Sequence, residues 1–504
     1  MPAFLAALLV FVSSGAVLVL ETLAGRLMAP YVGVTLESFT GIIGTILAGI
    51  AAGSWLGGRL ADRYDPRVML GPTMVLGGAL GLLSIPVIDY LGSSMQGATP
   101  SVIVILTFAG FFIPSAILSA VTPMVVKLQL SDLADTGRVV GWLSAVGTVG
   151  ALMGTFTTGF ILVAAWPTRP IIRWLGGLLV LGGLVLWVWL RRDADPDGDL
   201  TRPTAGMLVV LVAAGALSFA AAHPCEQESA YFCARVEVDP ERSTGRVLWL
   251  DTLRHSYVDV EDPTHLEFTY AQTMSDVLAT IAPEGEALDV THVGGAGMSL
   301  PRYLRETRPG TQSTVLELDP LMTEIAVEEL AWEPGPDVEV LHGDARLRLD
   351  EVPEGSQDLV IGDAFGGVSV PWHLATEEFV TAIHDVLRPG GVYALNMIDY
   401  QPLGFARAEL ATLAAVFDHV AVLAPPERLT GESGGNFILV GSDEPLPVTE
   451  MLARNTSRGD DEQALWTEGS TVDGVTLEDF VGDARVLTDD FAPVDQLLTP
   501  YPTR

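Results

Sequence analysis

Three short segments between residues 287 and 346 carry side chains suited to holding a nucleoside. Gly294-Gly295-Ala296-Gly297 follows one apolar run and precedes a helical one. Glycines there let a ligand approach the backbone closely at a helix N-terminus. Glu317 ends the next apolar run; an acid about 20 residues after such a turn can accept both ribose hydroxyls. Asp344, in Gly343-Asp344-Ala345-Arg346, follows the third run and could take an adenine amino group. The glycine spacing is not the dinucleotide fingerprint, so the turn alone is a weak signal. The turn, the strand-end acid and the later Gly-Asp carry weight together. Glu317 and Asp344 could instead simply cap the helices that follow them.

These groups need a scaffold, and the surrounding pattern supplies one. Leu288–Val293, Ser313–Asp319, Val338–Leu341, Asp358–Asp363 and Val392–Asn396 read as strands. Helical stretches over 267–281, 299–307, 320–330 and 375–387 lie between or before them, the last ending at Arg388-Pro389-Gly390-Gly391. Strands alternating with helices predict a parallel sheet covered on both faces. Ligands in such sheets bind at the carboxyl ends of the strands, at the topological switch point. Residues 230–262 alternate apolar and polar in shorter runs and predict a small antiparallel sheet ahead of the main fold.

The N-terminal part is of another kind. The chain has 504 residues, 49% of them hydrophobic, and a mean hydropathy of +0.40, which points to bilayer solvent for part of it. A spanning helix needs about 20 apolar residues. Seven stretches qualify: 3–22, 38–60, 69–91, 101–126, 139–165, 170–190 and 204–222. The first has no basic leader and is followed by more spans, so it does not read as a cleaved signal. Small residues recur at helical spacing in Gly53, Gly57 and Gly58 and in Gly147, Gly150 and Gly154, which suits close helix packing in lipid. Glu21 and Arg26 near the end of the first span read as an intramembrane pair marking a pathway or as a solvated interfacial pair.

Arg59, Arg63, Arg67, Lys127, Arg138, Arg191, Arg192 and Arg202 fall in the loops after even spans, against Arg26, Arg169 and Arg173 after odd ones. The positive-inside rule then puts the N-terminus in the cytoplasm and, across seven spans, the C-terminal domain outside. Cys225 and Cys233 are the only cysteines. Eight residues apart, they could close a disulfide, as an oxidising compartment allows, or stay as two buried thiols. Residues 223–504 hold 16 arginines, no lysine and 51 acids, and so carry the whole net charge of -35. That surface repels phosphate backbones, so nucleic acid is excluded as a partner. It suits solubility, high salt or a cationic substrate. The expected division is a helical membrane domain 1–222, a β segment 223–265, a nucleoside-binding domain 266–442 and an extension 443–504.

The order Gly-Gly-x-Gly, Glu317-Leu318-Asp319, Gly343-Asp344-Ala345 and Arg388-Pro389-Gly390-Gly391 resembles class I S-adenosylmethionine-type transferases. Leu250-Asp251, Tyr257 and Glu267-Phe268-Thr269-Tyr270 bring it nearest to the spermidine synthase (polyamine aminopropyltransferase) family. The whole chain looks like membrane-fused members of that group, whose helices resemble part of a major-facilitator transporter. The tail Leu487-Thr488-Asp489-Asp490-Phe491-Ala492-Pro493 is similar to theirs. The resemblance implies a Rossmann-like, class I methyltransferase-type domain with a small N-terminal β sheet. It also implies aminopropyl transfer from decarboxylated S-adenosylmethionine, or a related adenosyl compound, to a small amine such as putrescine, without a metal. A homodimer is compatible with it. Gly294, Gly295, Gly297, Glu317, Asp319, Asp344 and Ala345 would hold the donor, Tyr257 and Tyr270 would face the amine, and Asp363 would be the catalytic acid of the family's Asp-rich loop.

The sequence departs from that pattern at the centre. The family's loop carries a second Asp three residues on, acting as base; here Asp363-Ala364-Phe365-Gly366 has glycine. Gln272 stands where the family has an acid. His373 could substitute as base, since imidazole titrates near neutrality, and Asp489 or Asp490 could return an acid, or they could be ordinary structural side chains. Two functions follow: a membrane-anchored aminopropyltransferase-like enzyme, or a catalytically altered receptor for an amine or nucleoside, coupled to transport.

Overall fold

The computed structural model describes residues 1–95, 99–130, 135–194, 201–367, 369–467, 469 and 471–498. It divides into two compact units, Met1–Arg235 with Leu250–Thr252, and Val236–Trp249 with Leu253–Arg504.

Among the described residues of the first unit, six helices are long and apolar enough to cross a membrane: α1 (Ala3–Val32), α2 (Leu36–Arg63), α3 (Pro66–Ser94), α4 (Pro100–Gln129), α5 (Thr136–Ala165) and α6 (Thr168–Ala194). The seventh expected span is helix α7 (Thr201–Ala220), whose described apolar stretch is Leu211–Ala220. The protein is a multi-pass membrane protein. Small residues set the helix contacts, as expected where lipid removes the hydrophobic drive for association. A Cβ on Gly53 would lie 1.9 Å from the Ala116 carbonyl oxygen of α4, and one on Gly57 would lie 2.6 Å from the Ala120 Cα. On α5, Gly150 and Gly154 meet the backbone of Phe11 and Gly15 of α1 at 2.3 and 2.5 Å in the same sense. Gly147 is tight against Ser14 and Val10, whereas Gly58 makes only an ordinary contact with Pro123.

Charges in this unit pair differently from the sequence expectation. Arg26 engages Glu228 (Nη2 to Oε1 3.1 Å) rather than Glu21, and donates to the carbonyls of Ser229 and Ala230. Arg169 and Arg173 belong to α6 rather than to a loop. Arg169 makes a buried pair with Asp89 of α3 at 2.6 Å, to which Tyr31 of α1 also donates. The side chains of Arg191, Arg192 and Arg202 lie outside the described residues. Cys225 and Cys233 are joined in a disulfide.

Four short strands follow, β1 (Gln227–Glu228), β2 (Cys233–Val238), β3 (Gly245–Leu250) and β4 (Leu253–Asp259), in a sheet of that order. The large sheet begins after helix α8 (Thr269–Ile281). Its parallel part contains β5 (Asp289–Val293), β6 (Gln312–Glu317), β7 (Val338–His342), β8 (Gln357–Gly362) and β9 (Leu387–Asp399). Three further strands, β10 (His419–Ala424), β11 (Gly435–Ser442) and β12 (Gln463–Trp466), join antiparallel, giving the order β12-β10-β11-β9-β8-β5-β6-β7. The chain winds outward from β5 through β6 and β7, then returns to β8 on the other side of β5. The switch point therefore lies between β5 and β8.

Strands β8, β10 and β11 are buried on both faces, as expected where helices cover both. Val360 of β8 packs with Phe379, Ile383 and Phe405 on one side, and its neighbours Leu359 and Ile361 pack with Met274, Leu304 and Met451 on the other. Arg388 bonds Asp289 and Asp358 and so ties the starts of β9, β5 and β8. Arg388-Pro389-Gly390-Gly391 is accordingly part of β9 rather than a helix terminus. Two features of the expected extension belong to this body: β12 pairs with β10, and Phe480, Leu487 and Val494 are buried in the core.

Gly53→Val should lower the melting temperature of the detergent-solubilised protein, because overpacking of this kind costs about 1–3 kcal/mol. Gly44→Val is the reference, since nothing lies within 4 Å of its Cβ position. Equal melting of the two would contradict the close α2–α4 contact.

Candidate active site

The loops after β5 and β8 meet at the switch point. Asp363, one residue past β8, donates its backbone N–H to the Val293 carbonyl at 2.9 Å. A pocket partly open to solvent lies beside it. Its walls are His255 and Tyr257 from β4, Glu267 and Tyr270 at the start of α8, the turn Gly294–Ala296, and Asp363.

Asp363 is the focus of the pocket. Tyr270 donates to its Oδ2 at 3.1 Å and Asn396 to its Oδ1 at 2.8 Å. Removal from water pushes its carboxyl up to about 6, and the two hydrogen bonds only partly offset that. Burial and the neighbouring carboxylate hold the Tyr270 phenol well above its usual range, so it stays a donor. Tyr257 lines the same pocket with its ring, but its hydroxyl donates to Asp239 at 2.7 Å.

The glycine turn is held by Glu317. Its Oε2 accepts from the backbone N–H groups of Gly295 and Ala296, both at 2.9 Å, and its Oε1 from that of Asp319 at 2.9 Å. Each glycine is needed by the protein itself. A Cβ would lie 2.6 Å from the Asp363 carbonyl oxygen at Gly294, 2.5 Å from Val315 at Gly295 and 2.8 Å from Ser256 at Gly297. Gly294 also has φ +95°, where other residues are strained. Asp319 caps helix α9 (Pro320–Glu329) through Oδ1, and its buried Oδ2 has no partner among the described residues.

The third loop is assembled differently. Asp344 caps a short helix, Ala345–Arg348, and its Oδ2 pairs with Nε2 of His373 at 3.1 Å. Ala345 is buried in the core. His373 is thus set against Asp344 and does not line the pocket beside Asp363. Asp489 grips Arg346 with both oxygens, at 2.7 and 2.6 Å, and Gln272 bonds the Leu266 carbonyl. Gly366 is exposed, and a Cβ there meets nothing closer than 3.8 Å.

Sequence reasoning missed His255 and the asparagines. His255 is two residues from Tyr257, so strand alternation already puts both on one face. Burial lowers its imidazole to about 4, which keeps it neutral. Asn396 and Asn436 lie on neighbouring strands β9 and β11, and Asn436 donates to the side-chain oxygen of Asn396 at 2.9 Å. No local signal separates them from other strand polar residues.

Glu317→Ala removes a carboxylate that takes three backbone hydrogen bonds. Charge-assisted bonds of this kind are worth about 1.5–3 kcal/mol. The expected result is a full-length protein that unfolds at lower temperature, together with faster amide exchange at residues 294–297. Unchanged exchange there would mean that the turn does not depend on Glu317.

The Major Facilitator Superfamily profile matches residues 3–254, half of the chain. The polyamine aminopropyltransferase of Vibrio vulnificus is 28% identical over 249 residues, covering 48% of this chain and 79% of that protein. Polyamine aminopropyltransferase 2 of Streptomyces coelicolor is 26% identical over 329 residues, covering 60% of this chain and 58% of its own length. A probable spermidine synthase from Corynebacterium glutamicum, known as a crystal structure, is 29% identical with a TM-score of 0.47, over 51% of this chain and 94% of that one. The chain belongs to the Major Facilitator Superfamily through its N-terminal half, and as a whole it is a membrane-fused spermidine synthase-like protein.

Proposed function

We propose that the protein is a membrane-anchored aminopropyltransferase. Its donor is decarboxylated S-adenosylmethionine and its acceptor a small amine of the putrescine class. The observation that carries this is the placement of Asp363: a desolvated carboxylate, braced by Tyr270 and Asn396, opening onto a pocket beside the turn that Glu317 holds. A catalytically altered receptor is not favoured, since the relatives are aminopropyltransferases by name.

The residues present fit an adenosyl donor. Glu317 uses three acceptor positions on the backbone, and a carboxylate offers about four, so one remains for a ribose hydroxyl. Asp319 Oδ2, without a partner among the described residues, is a second buried acceptor nearby in sequence. Asp344 and Ala345 would border the base. The Asp363 and Glu267 carboxylates favour a cation in the pocket.

In the reaction, the lone pair of a neutral amine attacks the methylene carbon beside the sulfonium. The new C–N bond forms as the C–S bond breaks, and the electron pair stays on sulfur, leaving methylthioadenosine. The product ammonium then sheds a proton. Asp363 orients the amine by accepting its N–H and takes that proton. With Gly366 in the loop and His373 bound to Asp344, no second base beside it is needed for this scheme.

We place this domain outside the cytoplasm. The loop cations, the seven spans read from the sequence and the Cys225–Cys233 disulfide support that side; the donor must then be delivered there. The functional divisions proposed are 1–222 in the bilayer, 223–265, 266–442 for the nucleoside fold and 443–504.

Three measurements test the reading. Asp363→Asn should lower kcat by about 10²–10⁴-fold, the usual worth of a general base. Because burial raises this carboxyl to about 6, wild-type kcat/KM should fall as pH drops through about 6. An ordinary exposed aspartate would titrate about two units lower. Nearly full activity in the variant would sink the mechanism. Gly366→Asp, which the open space at that position accommodates, should raise turnover with diamines; a loss of activity would show that the loop is used differently.

A further inference from the structure

Three strands of the sheet contribute one polar side chain each to a line that ends on Asp363. Asp363 follows β8, Asn396 lies on β9 and Asn436 on β11. Gly362 of β8 pairs with Leu395 of β9, which puts Asp363 beside Asn396. On the antiparallel side, Asn396 pairs with Ile438 and Asn436 with Ile398, so the two asparagines are diagonal neighbours on one face. The distances are 2.8 Å from Asn396 Nδ2 to Asp363 Oδ1 and 2.9 Å from Asn436 Nδ2 to Asn396 Oδ1.

The direction of each bond is forced. An ionised carboxylate can only accept, so the amide nitrogen of Asn396 must face Asp363. Its oxygen then faces β11 and needs a donor, and Asn436 supplies one. An asparagine amide has almost the same shape when turned over. Asn396 is 1% exposed, so water does not set its orientation. Without Asn436 the turned amide would set an oxygen against Asp363, an arrangement that only the protonated acid tolerates.

We propose that Asn396 and Asn436 are positioning residues for the proposed transfer, a two-amide relay that fixes Asn396 as a donor and so holds Asp363 ionised and aimed into the pocket. The proposal rests on the reading that Asp363 receives the amine proton. The histidines and tyrosines that line this pocket do not set the same window. His255 and His292 are held neutral by burial, at about 4 and about 3. Tyr270 and Tyr257 stay protonated, with their phenols raised by burial. Glu267 is at the exposed rim, against His265.

The test uses the full-length protein in lipid nanodiscs. One readout is the pH midpoint at which a hydrophobic carbodiimide, which reacts with protonated carboxyls, modifies Asp363, located by peptide mapping. The other is the acid limb of kcat/KM. Asn396→Leu removes the donor and should move both midpoints upward by about one unit, roughly a tenfold change in proton affinity. Asn436→Leu should move them the same way by less, and the double variant should move them no further than Asn396→Leu alone, because Asn436 acts only through Asn396. Asn436→Ser, a smaller change, serves if the leucine variant does not fold. A merely structural role would lower kcat at every pH and leave both midpoints in place. Unmoved midpoints, or shifts that add in the double variant, overturn the relay. If the labelling midpoint shifts but no amine is aminopropylated, the relay stands and the transferase reading fails. If turnover occurs with an unmoved limb, the reverse holds.

Discussion

A carboxylate taken out of water is costly unless hydrogen bonds compensate it, and the pocket is arranged around that cost at Asp363. Tyr270 and Asn396 supply one donor to each oxygen, which brings the carboxyl to about 6 instead of higher. Both donors come from elements that the sheet fixes: Tyr270 from the first turn of α8, and Asn396 from β9 next to β8. The acid is therefore ionised near neutrality yet basic enough to hold a proton. That suits a step in which an amine must lose one.

The same economy appears at the glycine turn. A ligand's need for close backbone approach is the usual reason for glycines after the first parallel strand. Here the space a side chain would fill is already taken, by the Asp363 carbonyl, Val315 and Ser256. Glu317 then collects the turn's free N–H groups on one oxygen. The strand-end acid thus organises the loop from the protein side, and it is Asp319, not Glu317, that caps the helix beyond.

In the membrane half, close packing rests on glycines that let backbone meet backbone, as at Gly53 with Ala116 and Gly150 with Phe11. A pair of opposite charges buried on both sides, Asp89 with Arg169, joins α3 to the start of α6, with Tyr31 of α1 alongside. Glu228 ties β1 to the ends of α1 and α6 through Arg26 and Thr168. The chain thus leaves the bilayer through a hydrogen-bonded anchor within this unit.

Much of this was legible in the residues because it follows from local periodicity. Apolar length gave the spans, alternation gave the strands, and the helix expected at 299–307 is Ser299–Thr307. The alternation of strands with helices determined a parallel sheet, and the order of loops determined which residues stand at its carboxyl ends. Pairing across the chain was not legible, because it depends on which faces the sheet brings together. Arg26 chose Glu228 over nearby Glu21, His373 turned to Asp344 and not to Asp363, and Arg169 left the loops for a buried partner. Asn396 and Asn436 are 40 residues apart and meet only because β11 returns antiparallel beside β9. Sequence by itself determined two halves, their fold classes and a strand-end acid at 363. Only the tertiary structure decided what surrounds that acid, because a hydrogen bond depends on distance and direction, and neither is carried by residue order alone.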